Sequence, residues 1–119
     1  MAAPNIVNVT TIIGKTAVQS IGTTFATLVE NAAASNTVVK INSINISNID
    51  GTNAADVTVE LFRSSVAYRL ASTITIPADA TLVVVSKDNT IYLEEGDLIR
   101  CLASAAGDLQ AVCSYEIIS

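Results

Sequence analysis

Histidine and tryptophan are absent from the 119 residues, and only two prolines, two cysteines, two phenylalanines and three tyrosines are present. Without histidine the commonest general base, proton shuttle and transition-metal ligand is missing. Charge is scarce too: charged residues make up 14% of the chain, where an ordinary soluble domain carries about 25%. The net charge of −5 disfavours DNA, RNA and anionic lipid, because each is a polyanion held mainly by Lys and Arg. The six cations (Lys15, Lys40, Arg63, Arg69, Lys87 and Arg100) are dispersed and outline no basic groove. No apolar run reaches the roughly 18 residues a membrane helix needs. Met1 to Val9 lacks the basic and apolar regions of a secretory signal, so the sequence predicts synthesis in the cytoplasm and no membrane partner.

What remains is dominated by Ile, Val and Thr with Ala, Ser and Asn, a composition that favours strands joined by polar turns. Half the residues are apolar, and a chain of this mass hides about two-thirds of its surface on folding, enough for one core. The clearest pattern is Val66 to Ile76, where Val66, Tyr68, Leu70, Ile74 and Ile76 share one parity. Period two predicts a strand with one greasy face, closed by Pro77, which cannot donate to a ladder. Val57, Val59 and Leu61 alternate in the same way, and the short apolar run Leu82 to Val85 reads as a central strand. Turn phrases at Lys87-Asp-Asn89, Glu94-Glu-Gly-Asp97 and Ala103 to Asp108 separate Ile91–Leu93, Leu98–Leu102 and Leu109–Ile118. Such regular spacing predicts an all-β fold, an antiparallel, jelly-roll-like sandwich of eight or nine strands.

Two segments complicate that reading. Between Val38 and Ile49 the apolar positions change phase, from Val39 and Ile41 to Ile44 and Ile46. A bulge near Asn42-Ser43, or a strand that passes from one sheet to the other, reconciles them. At the start, Ile6 to Ile13 reads as a strand ending at Gly14-Lys15, and Thr24 to Asn31 fits a strand or a short helix, with the alternation of Phe25, Thr27 and Val29 favouring the strand. The chain divides into a candidate N-terminal arm, residues 1–8, and one sandwich domain, residues 9–119.

Candidate chemistry is thin. Gly14-Lys15-Thr16 matches only the tail of a phosphate loop, since the pattern needs glycine where Val9 stands. Glu94, Glu95 and Asp97 form an acidic cluster that reads first as a solvated turn and second as a cation contact. Asn8-Val-Thr10 and Asn45-Ile-Ser47 fit the glycosylation pattern but lack a secretory signal. No serine-nucleophile elbow exists. The sequence therefore predicts no catalytic residue, no metal and no cofactor. Cys101 and Cys113 are a candidate pair: a final hairpin about Gly107 sets them opposite each other. In the cytoplasm two reduced core thiols are the first reading and a disulfide the second.

With three lysines and two prolines to guard its strand edges, the chain is poorly protected as a monomer. A homo-oligomer, a trimer or ring, removes edges by symmetry. The run around Ile6, Val7 and Val9 suits addition to a neighbouring sheet edge and equally suits an internal first strand.

Several phrases carry a family likeness: Ile41 to Ile49, Ala55 to Val59, Ile74 to Ala78, Leu93 to Arg100, Ala103 to Leu109 and Ser114 to Ser119. In this order, over residues 38–119, the chain resembles small all-β structural proteins of tailed-bacteriophage virions. The resemblance implies a non-enzymatic virion component, made in the host cytoplasm and bound to major capsid or neck and tail proteins. A decoration or cement protein of the head leads, and a neck or tail accessory protein is the close rival. A carbohydrate-binding or adhesion module is a third reading; its aromatics are limited to Tyr68, Tyr92, Tyr115, Phe25 and Phe62.

Overall fold

The computed structural model describes residue 8 and residues 10–119, and its strands follow the Ile/Val/Thr runs. They are β1 (Ile12–Ser20), β2 (Ala26–Glu30), β3 (Val38–Asn48), β4 (Ala55–Arg63), β5 (Val66–Ile76), β6 (Thr81–Val85), β7 (Ile91–Leu93), β8 (Leu98–Ala103) and β9 (Leu109–Ile118). Sheet A has the order β1-β9-β3-β6, with β7 also paired to β3, and sheet B the order β2-β8-β4-β5. Every pairing is antiparallel. Because β6 and β7 take successive stretches of β3, divided by a 3-10 turn at Lys87–Asn89, they act as one interrupted strand. Eight strand positions in two four-membered sheets make a jelly-roll sandwich.

The inner faces meet in one core. Ile41, Ile44, Ile46 and Leu109 from sheet A and Val57, Val59 and Ile99 from sheet B are fully buried. The phase change in β3 is absorbed as a bulge: its register against β9 shifts between Ile41 and Ser43, so both isoleucine sets point inward. Buried asparagines close the ends. Asn48 donates to the Asn53 and Ile76 carbonyls, each at 3.0 Å, and accepts from the Asp50 amide at 2.9 Å. Asp50 in turn caps Thr52 and Asn53, and those backbone N–H groups hold its carboxyl below the usual range. That support exists at neutral pH and fades as acid protonates the group.

Three expectations need correction. Leu82 to Val85 is part of an edge strand, because β6 pairs with β3 alone; Leu82, Val84 and Val85 pack on the core while Val83 is exposed. The strand expected to stop at Gly14-Lys15 instead runs through them as β1. The greasy face of β5 is not buried as a whole either: β5 is the edge of sheet B, and its register against β4 shifts twice between Val57 and Glu60. Of its apolar residues only Ala71 and Ile76 are buried, while Val66, Tyr68 and Ile74 are exposed.

The hairpin tip offers a prediction. Arg63 pairs with Val66 across a two-residue loop in which Ser64 and Ser65 have φ of 51° and 62°. Both central residues of such a turn want glycine or asparagine, since a Cβ is unfavourable at positive φ. Ser64→Asn with Ser65→Gly is expected to raise stability by about 1 kcal/mol. A urea titration showing no gain would contradict this account of the turn.

Candidate assembly surface

Among the described residues β1 lies at the rim of sheet A and pairs on one side only, with β9, over nine residues in unbroken register. Its termini are tied: the Thr10 and Thr11 amides donate to the Ser119 carbonyl, and the Ser119 amide donates back to Thr11. A straight edge without bulge or proline presents a row of free main-chain donors and acceptors. Lys15 is the single charged side chain along it, and Ile12, Ile13 and Val18 are all exposed.

Residues directly opposite in an antiparallel pair share a face, so the register defines what sheet A shows to solvent. Val18 opposes Val112, Val112 opposes Asn45, and Asn45 opposes Val83, one row across four strands. The three valines are 75%, 41% and 57% exposed. Beside them Ser20, Gln110, Ser47 and Thr81 form a polar row, and Val18, Ser20, Gln110 and Val112 rim a shallow trough of about 330 Å³. Among the described strand residues of this face Lys40 and Glu116 are the only charged ones, and they oppose each other.

Sheet B has a different outer face. Glu60 stands between Arg69 and Arg100 in a cross-strand row. Its side chain is 1% exposed; the Arg69 Nε lies 2.9 Å from one carboxylate oxygen and Arg100 donates to the other. The Arg100 guanidinium is layered between Phe25 and Phe62, 4.6 and 4.0 Å from the ring centroids. This face satisfies its own charges and leaves none of these groups waiting for a ligand.

The acidic turn also has its cation within the chain. Arg63 Nε donates to Asp97 Oδ1 at 2.9 Å, and Arg63 Nη2 reaches Asp97 Oδ2 at 2.6 Å and Glu94 Oε2 at 2.9 Å. The hydrogen bond that Arg63 donates to Asp97 raises the guanidinium above its ordinary pKa. Glu95 accepts instead from the Asn36 amide. Gly14-Lys15-Thr16 lies within a strand, with no loop to cradle a phosphate. Among the described residues no group of three potential metal-binding side chains occurs. The aromatics do not converge: Phe25 and Phe62 hold Arg100, Tyr92 is on the outer face of sheet A, Tyr68 is on β5, and Tyr115 packs against the core.

Of the other positions singled out in the sequence, Ile6, Val7 and Val9 lie outside the described residues. Cys101 and Cys113 do not form the expected hairpin pair. β8 and β9 belong to opposite sheets, so Cys101 opposes Val59 and Cys113 opposes Ile44. Both are free, fully buried thiols. Turn spacing alone does not distinguish a hairpin from a loop that crosses between sheets. Burial pushes both thiols up to about 12, with Cys113 adding to the effect on Cys101. Below pH 9 both states keep the proton; above it the unfolded chain ionises first, and stability is lost as pH rises toward 12. At pH 10 the expected loss is about 1 to 2 kcal/mol per thiol. Cys101→Ala with Cys113→Ala should flatten that slope in urea titrations, and an unchanged slope would refute the assignment.

The valine row was missed in the sequence because Val18, Val83 and Val112 come from separate strands whose register no local pattern reveals. No protein family matches the sequence, and no curated protein matches it significantly. Solved structures do share the fold. A chain from the Bacillus endospore appendages, described as a novel family of disulfide-linked pili, superposes with TM-score 0.53 at 14% identity, covering 100% of this chain and 96% of that one. A chain from the acidic stable capsid structure of Helicobacter pylori bacteriophage KHP30 gives TM-score 0.53 at 7% identity, covering 94% of this chain and 90% of that one. At these identities the likeness is one of fold.

Proposed function

We propose that this chain is a non-enzymatic structural subunit of a bacteriophage virion, and specifically a decoration or cement protein of the head shell. The observation that carries the reading is the β1 edge, nine residues in straight register with Lys15 as its single charged guard and Ile12, Ile13 and Val18 exposed. An edge of this kind accepts another strand through directional main-chain bonds. On a symmetric lattice many such modest contacts add through avidity. A bridging subunit then opposes separation of its neighbours, because separation re-exposes the surface buried between them. Residues 1–8, with Ile6 and Val7, act as an arm that extends the contact to a neighbouring subunit. The capsid chain of similar fold supports this placement.

The appendage chain supports assembly more generally, but disulfide linkage between subunits does not transfer, since both cysteines here are buried. Imaging of intact particles tests the proposal. A head protein is spread over the whole shell, whereas a neck or tail protein occupies one small ring at the vertex. Absence from purified particles would end the virion reading. Deleting residues 1–8 should weaken attachment and leave the circular dichroism of the sandwich unchanged; loss of folding would make that segment an integral strand.

A further inference from the structure

We infer that the outer face of sheet A is the contact between two copies of this chain, packed face to face about a two-fold axis. Electrostatics identifies the occupant. Each copy carries a net charge of −5, so copies repel wherever their charged surfaces meet. Of the described strand residues on this face only Lys40 and Glu116 are charged, and their opposed charges cancel. Copies can therefore approach here without opposing their net charges, while a partner selected by charge finds little to read.

The face is also self-complementary in chemistry, as a two-fold contact requires. The row of Val18, Val112 and Val83 offers apolar surface. Ser47 and Thr81, already 3.2 Å apart, belong to the adjoining row of hydroxyl and amide groups. The trough of about 330 Å³ beside Val18 and Val112 leaves room for a side chain from the opposite copy. Four strands at about 4.8 Å spacing and about eight residues at 3.3 Å give on the order of 500 Å² of plane per copy. That is at the low end of specific interfaces, which predicts reversible association that strengthens at the high local concentration of an assembly.

Sedimentation velocity on the full chain, over a concentration series from micromolar to millimolar, tests the inference. The native chain is expected to pass from monomer to dimer. Val83→Lys and, separately, Val18→Lys place like charges in the contact and should weaken dimerisation by at least about 100-fold. Val66→Lys, on the exposed β4–β5 hairpin, should dimerise as the native chain does. A native chain that remains monomeric, or sheet A variants that dimerise normally, would overturn the inference. Two substitutions at exposed sites guard against misfolding of either one. If the native chain stays monomeric and Val83→Lys abolishes attachment to heads, the face belongs to the shell protein, so this inference fails and the virion reading stands. A dimer in solution whose chain is absent from particles has the opposite consequence.

Discussion

Arg100→Ala is expected to destabilise the sandwich by about 3 kcal/mol, the usual cost of removing one partner from a buried ion pair. Glu60 is almost fully enclosed on the outside of sheet B, and its two oxygens are each taken by an arginine. Removing Arg100 leaves the carboxylate with Arg69 alone, whose side chain is 48% exposed. It also leaves Phe25 and Phe62 without the guanidinium they enclose. Lysine should restore only part of the loss, because a compact ammonium lacks the planar surface that stacks between two rings. Glu60→Leu together with Arg100→Met should cost less than Arg100→Ala alone, since apolar replacement of a whole buried pair is often nearly neutral. Urea midpoints decide the matter. A loss below about 1 kcal/mol for Arg100→Ala would show that the pair contributes no more than a surface bridge.

Asn31→Ala is expected to cost a similar amount, about 3 kcal/mol, for a different reason. Asn31 is 2% exposed and sits just past the end of β2. Its Nδ2 donates to the Thr37 carbonyl at 3.0 Å and the Leu93 carbonyl at 2.9 Å. Its Oδ1 accepts from the Ser35 and Thr37 hydroxyls. Its backbone bonds both ways to the acidic turn, through the Asp97 carbonyl and the Gly96 amide. One side chain therefore joins the 31–37 loop to the β7–β8 connection. Alanine strands the buried Leu93 carbonyl, and an unmade bond in the interior costs more than a formed one contributes. Asn31→Asp should be no better, because it turns a carboxylate oxygen toward two carbonyls. Hydrogen exchange should show faster opening of the 31–37 loop and the β7–β8 turn. Unchanged exchange there would remove Asn31 from this role.

Both residues illustrate what local pattern conceals. Neither Glu60 nor Arg100 differs in sequence from any polar residue on a solvent-facing strand. Their union depends on β8 pairing with β4, across 40 residues of chain, and on the bulges that bring Arg69 opposite Glu60. The bulge in β3, by contrast, was legible, because the inward isoleucines change parity within one strand. β5 shows the reverse failure. Its period-two pattern is genuine, and Tyr68, Ile74 and Ile76 oppose inward residues of β4, but at the edge of sheet B only Ile76 of the three is buried. The proposed assembly surface was legible as a general property, scarcity of charge, and illegible as a place.

By itself the sequence determined the strand segments, the single type of core and the quietness of the surface. Each follows from side-chain branching, alternation and charge count over neighbouring residues. Only the tertiary structure decided which strands are edges, that the two cysteines occupy opposite sheets, and that Val18, Val112 and Val83 line up across one face. These depend on partners distant in the chain, and hydrogen-bond register between such partners is chosen by the packing of the whole sandwich.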